Sequence, residues 1–178
     1  MSELSAVNLG KITEGIKQGP KPVSILWQAP DTIAFIARGR EYRSEFHVDP
    51  SDEVMYMIKG EMNLHYITPE GEHKVAVIRE GEIIYCPAGT PHSPHFPPDA
   101  FALIMERKRR PEERDRFLWF CEQCKAQLYE TVKQVRDYQE DPVSRAYEEF
   151  FSADSHLTCS KCGHVMPRPD RYKRNDKT

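Results

Sequence analysis

Long apolar runs are missing from this 178-residue chain. The stretch FALIM, residues 101–105, is five apolar residues long, whereas a helix that spans a bilayer needs about 20. No transmembrane helix is expected. The amino end, MSELSAVNLGKITEGIKQG, has charges scattered through it and no apolar leader core, so a secretory signal is not expected and a cytoplasmic location is. Excess charge of one sign is lacking too. Its 25 Lys+Arg against 28 Asp+Glu leave a formal net charge of −3, which argues against a nucleic-acid binder working by bulk electrostatics. Internal repeats are absent, as is the strand–helix alternation that builds a parallel sheet. What remains is 39% hydrophobic residues, with 8 Phe, 8 Tyr and 2 Trp. That suffices for the core of one domain with a modest appendage.

Leu9, Ile12 and Ile16 share a helical face ahead of Gly19-Pro20, predicting a short helix within residues 1–19. The pattern then turns to short β-rich segments at 24–28, 32–38, 42–47, 54–59, 61–68, 73–78, 82–86 and 101–107. Turn residues separate them, the longest gap being the Pro-rich stretch 87–99. This cadence predicts an all-β sandwich or barrel. Beyond it, KRRPEERDR from Lys108 reads as a solvated connector. A short aromatic strand at 117–120 and the β-like LYETVKQV follow, then a helix at 141–151. Asp141 is its expected N-cap, Pro142 its first residue, and Val143, Ala146, Tyr147, Phe150 and Phe151 its apolar face. The basic end is expected to be disordered. The division expected is a barrel with its helix at 1–110, an extension at 111–168 and a tail at 169–178.

Four of the five cysteines form two C-x-x-C pairs, Cys121/Cys124 and Cys159/Cys162. In a reducing compartment such pairs read as metal ligands or a redox motif rather than as disulfides. Two thiolates from one tight turn can share a tetrahedral metal, and a second turn completes a Cys₄ site. The residues between Cys124 and Cys159 include the predicted helix, so a metal there ties the C-terminal segment to the barrel end. A closed sulfur shell leaves no position for substrate. A structural role is therefore expected, with zinc or iron bound; a dithiol redox pair and a nucleic-acid zinc ribbon are the alternatives. Cys86, just before Pro87, is expected to be a small buried hydrophobe.

A second constellation carries reaction chemistry. His47-x-Asp49-x-x-x-Glu53-(x6)-Gly60 follows Gly39, and Gly81-(x5)-Pro87-x-Gly89-x-x-His92 follows twenty residues after Gly60. His47 and Glu53 flank the turn at Asp49-Pro50, so both can project from adjacent strands into one cavity. His92 follows a Pro-x-Gly turn that can aim a strand inward. Two imidazoles and one carboxylate leave coordination positions open, the face preferred by non-haem Fe(II) in oxygen chemistry; Zn²⁺, Mn²⁺ or Ni²⁺ could use the same ligands. The spacing resembles the two motifs of the cupin superfamily, which implies a small antiparallel jelly-roll barrel with a metal inside the cup. His65, His73, His156 and His164 lack this context and read as ordinary residues. His95 could reach the cavity mouth, though a plain surface role is the simpler reading.

The combination of such a barrel with a Cys₄ tail resembles the 3-hydroxyanthranilate 3,4-dioxygenase family. The strings that carry it are WQAPDTIAFIARG from Trp27, YRSEFHVDPSDEVMYMIKGEM from Tyr42, GEIIYCPAGTPHSP from Gly81, MER from Met105, FLWFCEQC from Phe117 and CSKCGHV from Cys159. The resemblance implies catalytic Fe(II) on His47, Glu53 and His92, with O₂ as co-substrate, and a second iron or zinc on Cys121, Cys124, Cys159 and Cys162. It implies that Arg43 binds a substrate carboxylate and that Glu106 handles the substrate's proton. Otherwise Arg43 would be a surface ion pair and Glu106 the head of the charged connector. The implied reaction opens the ring of 3-hydroxyanthranilate to 2-amino-3-carboxymuconate semialdehyde, the precursor of quinolinate and NAD in the kynurenine pathway. A homodimer is the family-level expectation, with no nucleic acid or membrane partner. Two departures stand out. Phe96 occupies the place of the family's second carboxylate-binding arginine, and the asparagine–arginine segment before Trp27 is cut short. Phe96 is thus expected at the substrate, and a different aminophenol or catechol-like ring is the alternative substrate. A non-catalytic metal-binding cupin is the further alternative.

Overall fold

The computed structural model describes residues 4–40, 42–137 and 142–172. Helix α1 (Leu9–Gln18) starts where the Asn8 side chain accepts a hydrogen bond from the Lys11 amide at 3.0 Å. It buries Ile16 against Ile36 and Phe101. Arg38 Nη1 donates to its last carbonyls, those of Ile16 and Lys17, each at 3.3 Å.

Eleven strands follow: β1 (Val23–Gln28), β2 (Thr32–Arg38), β3 (Glu45–Val48), β4 (Glu53–Lys59), β5 (Glu61–Ile67), β6 (His73–Arg79), β7 (Ile83–Cys86), β8 (His92–His95), β9 (Phe101–Arg107), β10 (Asp115–Phe120) and β11 (Gln127–Lys133). They form two antiparallel sheets, ordered β1-β2-β9-β4-β7 and β11-β10-β3-β8-β5-β6. This is the all-β architecture expected from the strand cadence, in the two-sheet jelly-roll form that the resemblance implied. Alternate residues of each strand face inward. On β4 these are Glu53, Met55 and Met57, and on β5 they are Met62 and Leu64. Met55, Met57, Met62, Leu64, Ile78 and Ile104 pack between the sheets. The same inward rows end in polar groups, for Glu53 lies opposite both Glu106 and Cys86, and His47 opposite His92. The barrel therefore has one greasy half and one half built of acids and imidazoles.

The C-terminal segment packs on the face of β10 that carries Phe117 and Trp119. Helix α2 (Pro142–Phe150) buries Ala146, Tyr147 and Phe150 with Phe117, Trp119, Phe151 and Leu157 of the short helix α3 (Asp154–Leu157). Trp119 and Phe150 stack at 4.4 Å, 7° from parallel, a contact of the kind that contributes beyond area burial.

Several sequence expectations shift. β8 lies inside the stretch 87–99, which its prolines had made look like a connector. Pro94 is tolerated because β8 pairs with β3 through His47↔His92 alone, so the position that lacks an amide has no ladder partner on that side. β10 begins at Asp115, within the charge run expected to be solvated. A boundary at residue 110 falls within a continuous sheet, because β10 pairs with β3 along Arg116↔Val48 to Trp119↔Glu45. Pro142 does begin α2, while its proposed cap, Asp141, lies outside the described residues. Just before the tail expected to be disordered, Arg168 donates to Asp154 at 2.6 Å, and within it Tyr172 stacks on Phe151 at 4.6 Å. Residues 173–178 lie outside the described ones, and among the described residues no helix is long and apolar enough to cross a membrane.

The motif glycine at 39 has a steric reason. A Cβ there would stand 2.1 Å from the Phe96 carbonyl oxygen and 2.2 Å from that of Pro97. Gly39→Ala is expected to lower unfolding free energy by about 1–3 kcal/mol, the usual cost of overpacking, measured by urea denaturation. An unchanged midpoint would show that the Phe96–Pro97 backbone gives way freely.

Candidate functional site

His47 leaves the middle of β3, Glu53 the start of β4 and His92 the start of β8. One donor atom from each lies within 4.8 Å of the other two. His92 is locked from behind, its Nδ1 facing the Thr90 carbonyl at 3.0 Å and Cys86 Sγ at 3.6 Å, so that Nε2 points at Glu53 Oε2, 2.8 Å away. His47 lies flat against Phe117, centroids 4.9 Å apart. Burial alone would raise the Glu53 carboxyl, but the imidazoles of His92 and His47 and the Arg109 guanidinium outweigh it and pull the group down to about 2. Burial works against a charged His92 as well; the facing Glu53 carboxylate and Cys86 override it and hold His92 well above the usual imidazole range. Glu53 Oε2 is buried with no aligned hydrogen-bond donor. Two imidazoles and an orphaned carboxylate oxygen this close fit a divalent transition metal, which takes over the role of the His92 proton.

The charged connector hides the counterion of the site. Arg109, only 8% exposed, threads into the barrel beneath the ligands. Its Nε and Nη2 donate to the two oxygens of Asp115 at 2.8 and 2.7 Å, and Nη2 also reaches Asp49 at 2.5 Å and Glu106 at 3.4 Å. Asp115 in turn lies 2.8 Å from His47 Nε2. Although burial works to raise Asp115, Arg109 and His47 keep its carboxyl below the usual range. Asp49 behaves oppositely. Burial and the facing Glu106 carboxyl push it up to about 9. Two further acid-containing groups, His47–Asp49–Asp115 and Asp49–Glu53–Glu106, are as tightly gathered as the first. Asp49, Glu106 and Asp115 already face Arg109, which leaves His47, Glu53 and His92 as the set that better fits a metal. Sequence reasoning missed Arg109 and Asp115 because a six-residue spacing within a charged run means nothing until β10 folds back beside β3.

Above the ligands opens a cavity of about 510 Å³, the size of small-molecule pockets. Arg43, His47, Glu53, His92, Phe96 and Glu106 all line it, with Phe35, Met62, Pro94 and Ile104 forming apolar walls. Every candidate named at this site from sequence thus borders one space. Arg43 forms an ion pair, but a buried one: its Nε lies 2.9 Å from Glu45 Oε1, and Glu45 is fully buried. Glu106 is 6% exposed and belongs to the barrel interior rather than to the connector. Phe96 is buried and packs with the methionine core. Of the histidines set aside, His95 borders a shallower outer cavity with Arg40, Arg43 and Phe96; burial first, then His65 and Arg43, lower it to about 4.

The cysteines meet at the far end of the extension. Cys121 Sγ is 3.6 Å from Cys162 Sγ, and Cys124 Sγ is 3.5 Å from Cys159 Sγ. A tetrahedral metal with sulfurs at about 2.3 Å has edges of roughly 3.8 Å, so the four sulfurs fit one ion. Each pair sits on the same knuckle, with Lys125 N donating to Cys121 O and Gly163 N to Cys159 O, at 2.9 and 2.8 Å. Amides of Cys162 and Lys161 aimed at Cys159 Sγ lower that thiol to about 6, favouring the thiolate that a metal needs.

Two outcomes follow. Arg109→Met leaves buried acids without their shared cation and is expected to cost about 3–5 kcal/mol of stability in urea unfolding; a loss below about 1 kcal/mol, within the range of an exposed ion pair, would overturn this account. Cys124→Ser is expected to remove one equivalent of bound metal by elemental analysis while leaving the metal at the histidine site.

The family model for 3-hydroxyanthranilic acid dioxygenase matches residues 2–151. A 3-hydroxyanthranilate 3,4-dioxygenase from Bacillus cereus is 38% identical over 167 residues, covering 92% of this chain and 93% of its own. One from Xanthomonas euvesicatoria is 34% identical over 142 residues, covering 79% of this chain and 78% of its own. Among solved structures, a cupin-2 domain containing protein from Shewanella frigidimarina superposes on 57% of this chain and 93% of its own, with a TM-score of 0.46 at 16% identity. The chain belongs to the 3-hydroxyanthranilic acid dioxygenase family and is a dioxygenase.

Proposed function

We propose that the chain is an Fe(II)-dependent ring-cleaving dioxygenase acting on 3-hydroxyanthranilate. The observation that carries this reading is the set of five side chains around one cavity: the three ligands, Arg43 and Glu106. Its relatives, named for the same reaction and similar over most of their length, support it. His47, Glu53 and His92 would hold the iron, which would supply Lewis-acid and electron-donating chemistry for the reaction of an aromatic ring with O₂.

The chain's own residues do the rest. Arg43 receives the ring carboxylate, fixing the ring with its hydroxyl and amine toward the ligands. Glu106 lies deeper, beside Asp49, and accepts the proton of the ring hydroxyl as a general base, returning one later in the reaction. Apolar walls from Phe35, Met62 and Ile104 exclude water from the opened ring. The product is 2-amino-3-carboxymuconate semialdehyde, which closes to quinolinate.

Phe96 favours a second reading. An apolar wall stands where a second guanidinium would hold the carboxylate, and a charged hydrogen bond of that kind contributes about 1.5–3 kcal/mol. A ring without a carboxylate is the substrate on this reading. Both are tested by anaerobic loading with Fe(II) followed by oxygen uptake and ultraviolet monitoring with 3-hydroxyanthranilate and with 2-aminophenol. The expected outcome is a higher kcat/KM for 3-hydroxyanthranilate, abolished by His47→Ala. Equal kcat/KM for the two rings would discard the carboxylate-bearing substrate.

A further inference from the structure

Arg43 would be a poor anchor if left to itself. It precedes the first residue of β3, two positions before Glu45 and four before His47, so the three side chains alternate onto one face. A guanidinium at the mouth of a cavity has many rotamers, and its value to a ligand depends on how few it uses. Here the restraint comes from outside the barrel. The Tyr147 hydroxyl, on α2, donates a short hydrogen bond to Glu45 Oε2 and accepts one from the Ser44 amide at 2.8 Å. The other oxygen of Glu45 faces Arg43 Nε at 2.9 Å, a charge contact rather than an aligned hydrogen bond. Both Tyr147 and Glu45 are fully buried. Tyr147 cannot wander, since its ring lies among Trp119, Phe151 and Tyr172 at 5.7–5.9 Å between centroids. The same helix brings Pro142 and Val143 to the cavity wall.

We propose that Tyr147 and Glu45 are positioning residues for substrate recognition: through them the C-terminal extension sets the place of the Arg43 guanidinium, so that affinity for a carboxylate-bearing ring is governed from outside the barrel. This rests on the reading of Arg43 as the carboxylate's partner. The Tyr147 hydroxyl holds one oxygen of Glu45, which leaves the other for Arg43 Nε and the rest of the guanidinium for a ligand in the cavity that Arg43 lines. Without the hydroxyl, Glu45 is free to rotate onto Arg43 and compete with the substrate for it.

The test is Tyr147→Phe in the full-length, Fe(II)-loaded protein, which keeps the ring and removes one oxygen. The expected result is a KM for 3-hydroxyanthranilate raised about tenfold, the scale of one charge-assisted hydrogen bond, with kcat within about twofold and the KM for 2-aminophenol unchanged. Glu45→Gln is expected to raise the same KM, and the double variant to be no worse than the poorer single one, because the two act in series. Should Tyr147→Phe melt below the assay temperature, Glu45→Gln alone decides by the same split. An equal loss on both rings, a fall in kcat with KM unmoved, or additive effects in the double variant would overturn the proposal. A parent protein that turns over neither ring would instead sink the functional reading beneath it.

Discussion

Four carboxylates, those of Asp49, Glu53, Glu106 and Asp115, lie in the polar half of the barrel, each 6% exposed or less. Each ionised acid in such a place carries several kcal/mol of lost hydration unless something replaces the water. The replacements are two imidazoles and one guanidinium, that of Arg109, which faces Asp49, Glu106 and Asp115. Glu53 faces His92 instead, 2.8 Å away and with no donor aligned on that oxygen, and a metal held there would complete the balance.

This constraint explains which parts of the site were legible in the amino-acid sequence. His47 and Glu53 flank one turn, and His92 follows another whose Pro-x-Gly signature stands in the sequence, so each motif is locally legible even though β3 and β8 must pair to bring them together. Glu45 was equally local, two residues from each of Arg43 and His47 on one strand, and alternation alone could have exposed it. Arg109 and Asp115 were illegible for a different reason. Runs of mixed charge are normally solvated, and nothing in KRRPEERDR distinguishes the one arginine that turns inward from its neighbours. Only the pairing of β10 with β3 brings Asp115 to His47. β8 was hidden likewise by its prolines, since a strand paired so briefly on one side leaves little trace in composition.

The helices and most strands were readable because caps, periodicity and turn residues act over a few positions. The division of the chain was not. Residues 111–137 looked like an appendage by composition, yet β10 and β11 extend a barrel sheet, and only the material from α2 onward lies outside it. Aromatic stacking on Trp119 and the two cysteine knuckles then bind that outer layer to the sheet carrying His47. Rigidity at the ligands is thus drawn partly from a layer that contributes none of them.

The close approach at Gly39 has a consequence for how such a pocket diversifies. The Phe96–Pro97 backbone is pinned there by contact and by the Ala100 turn, whatever side chain position 96 bears. A guanidinium can be exchanged for a phenyl ring on that fixed scaffold without moving the ligands or the arginine opposite. The character of the wall is thereby uncoupled from the placement of His47, Glu53 and His92, so a change of one side chain can alter what the cavity accepts while the strands around it stay put.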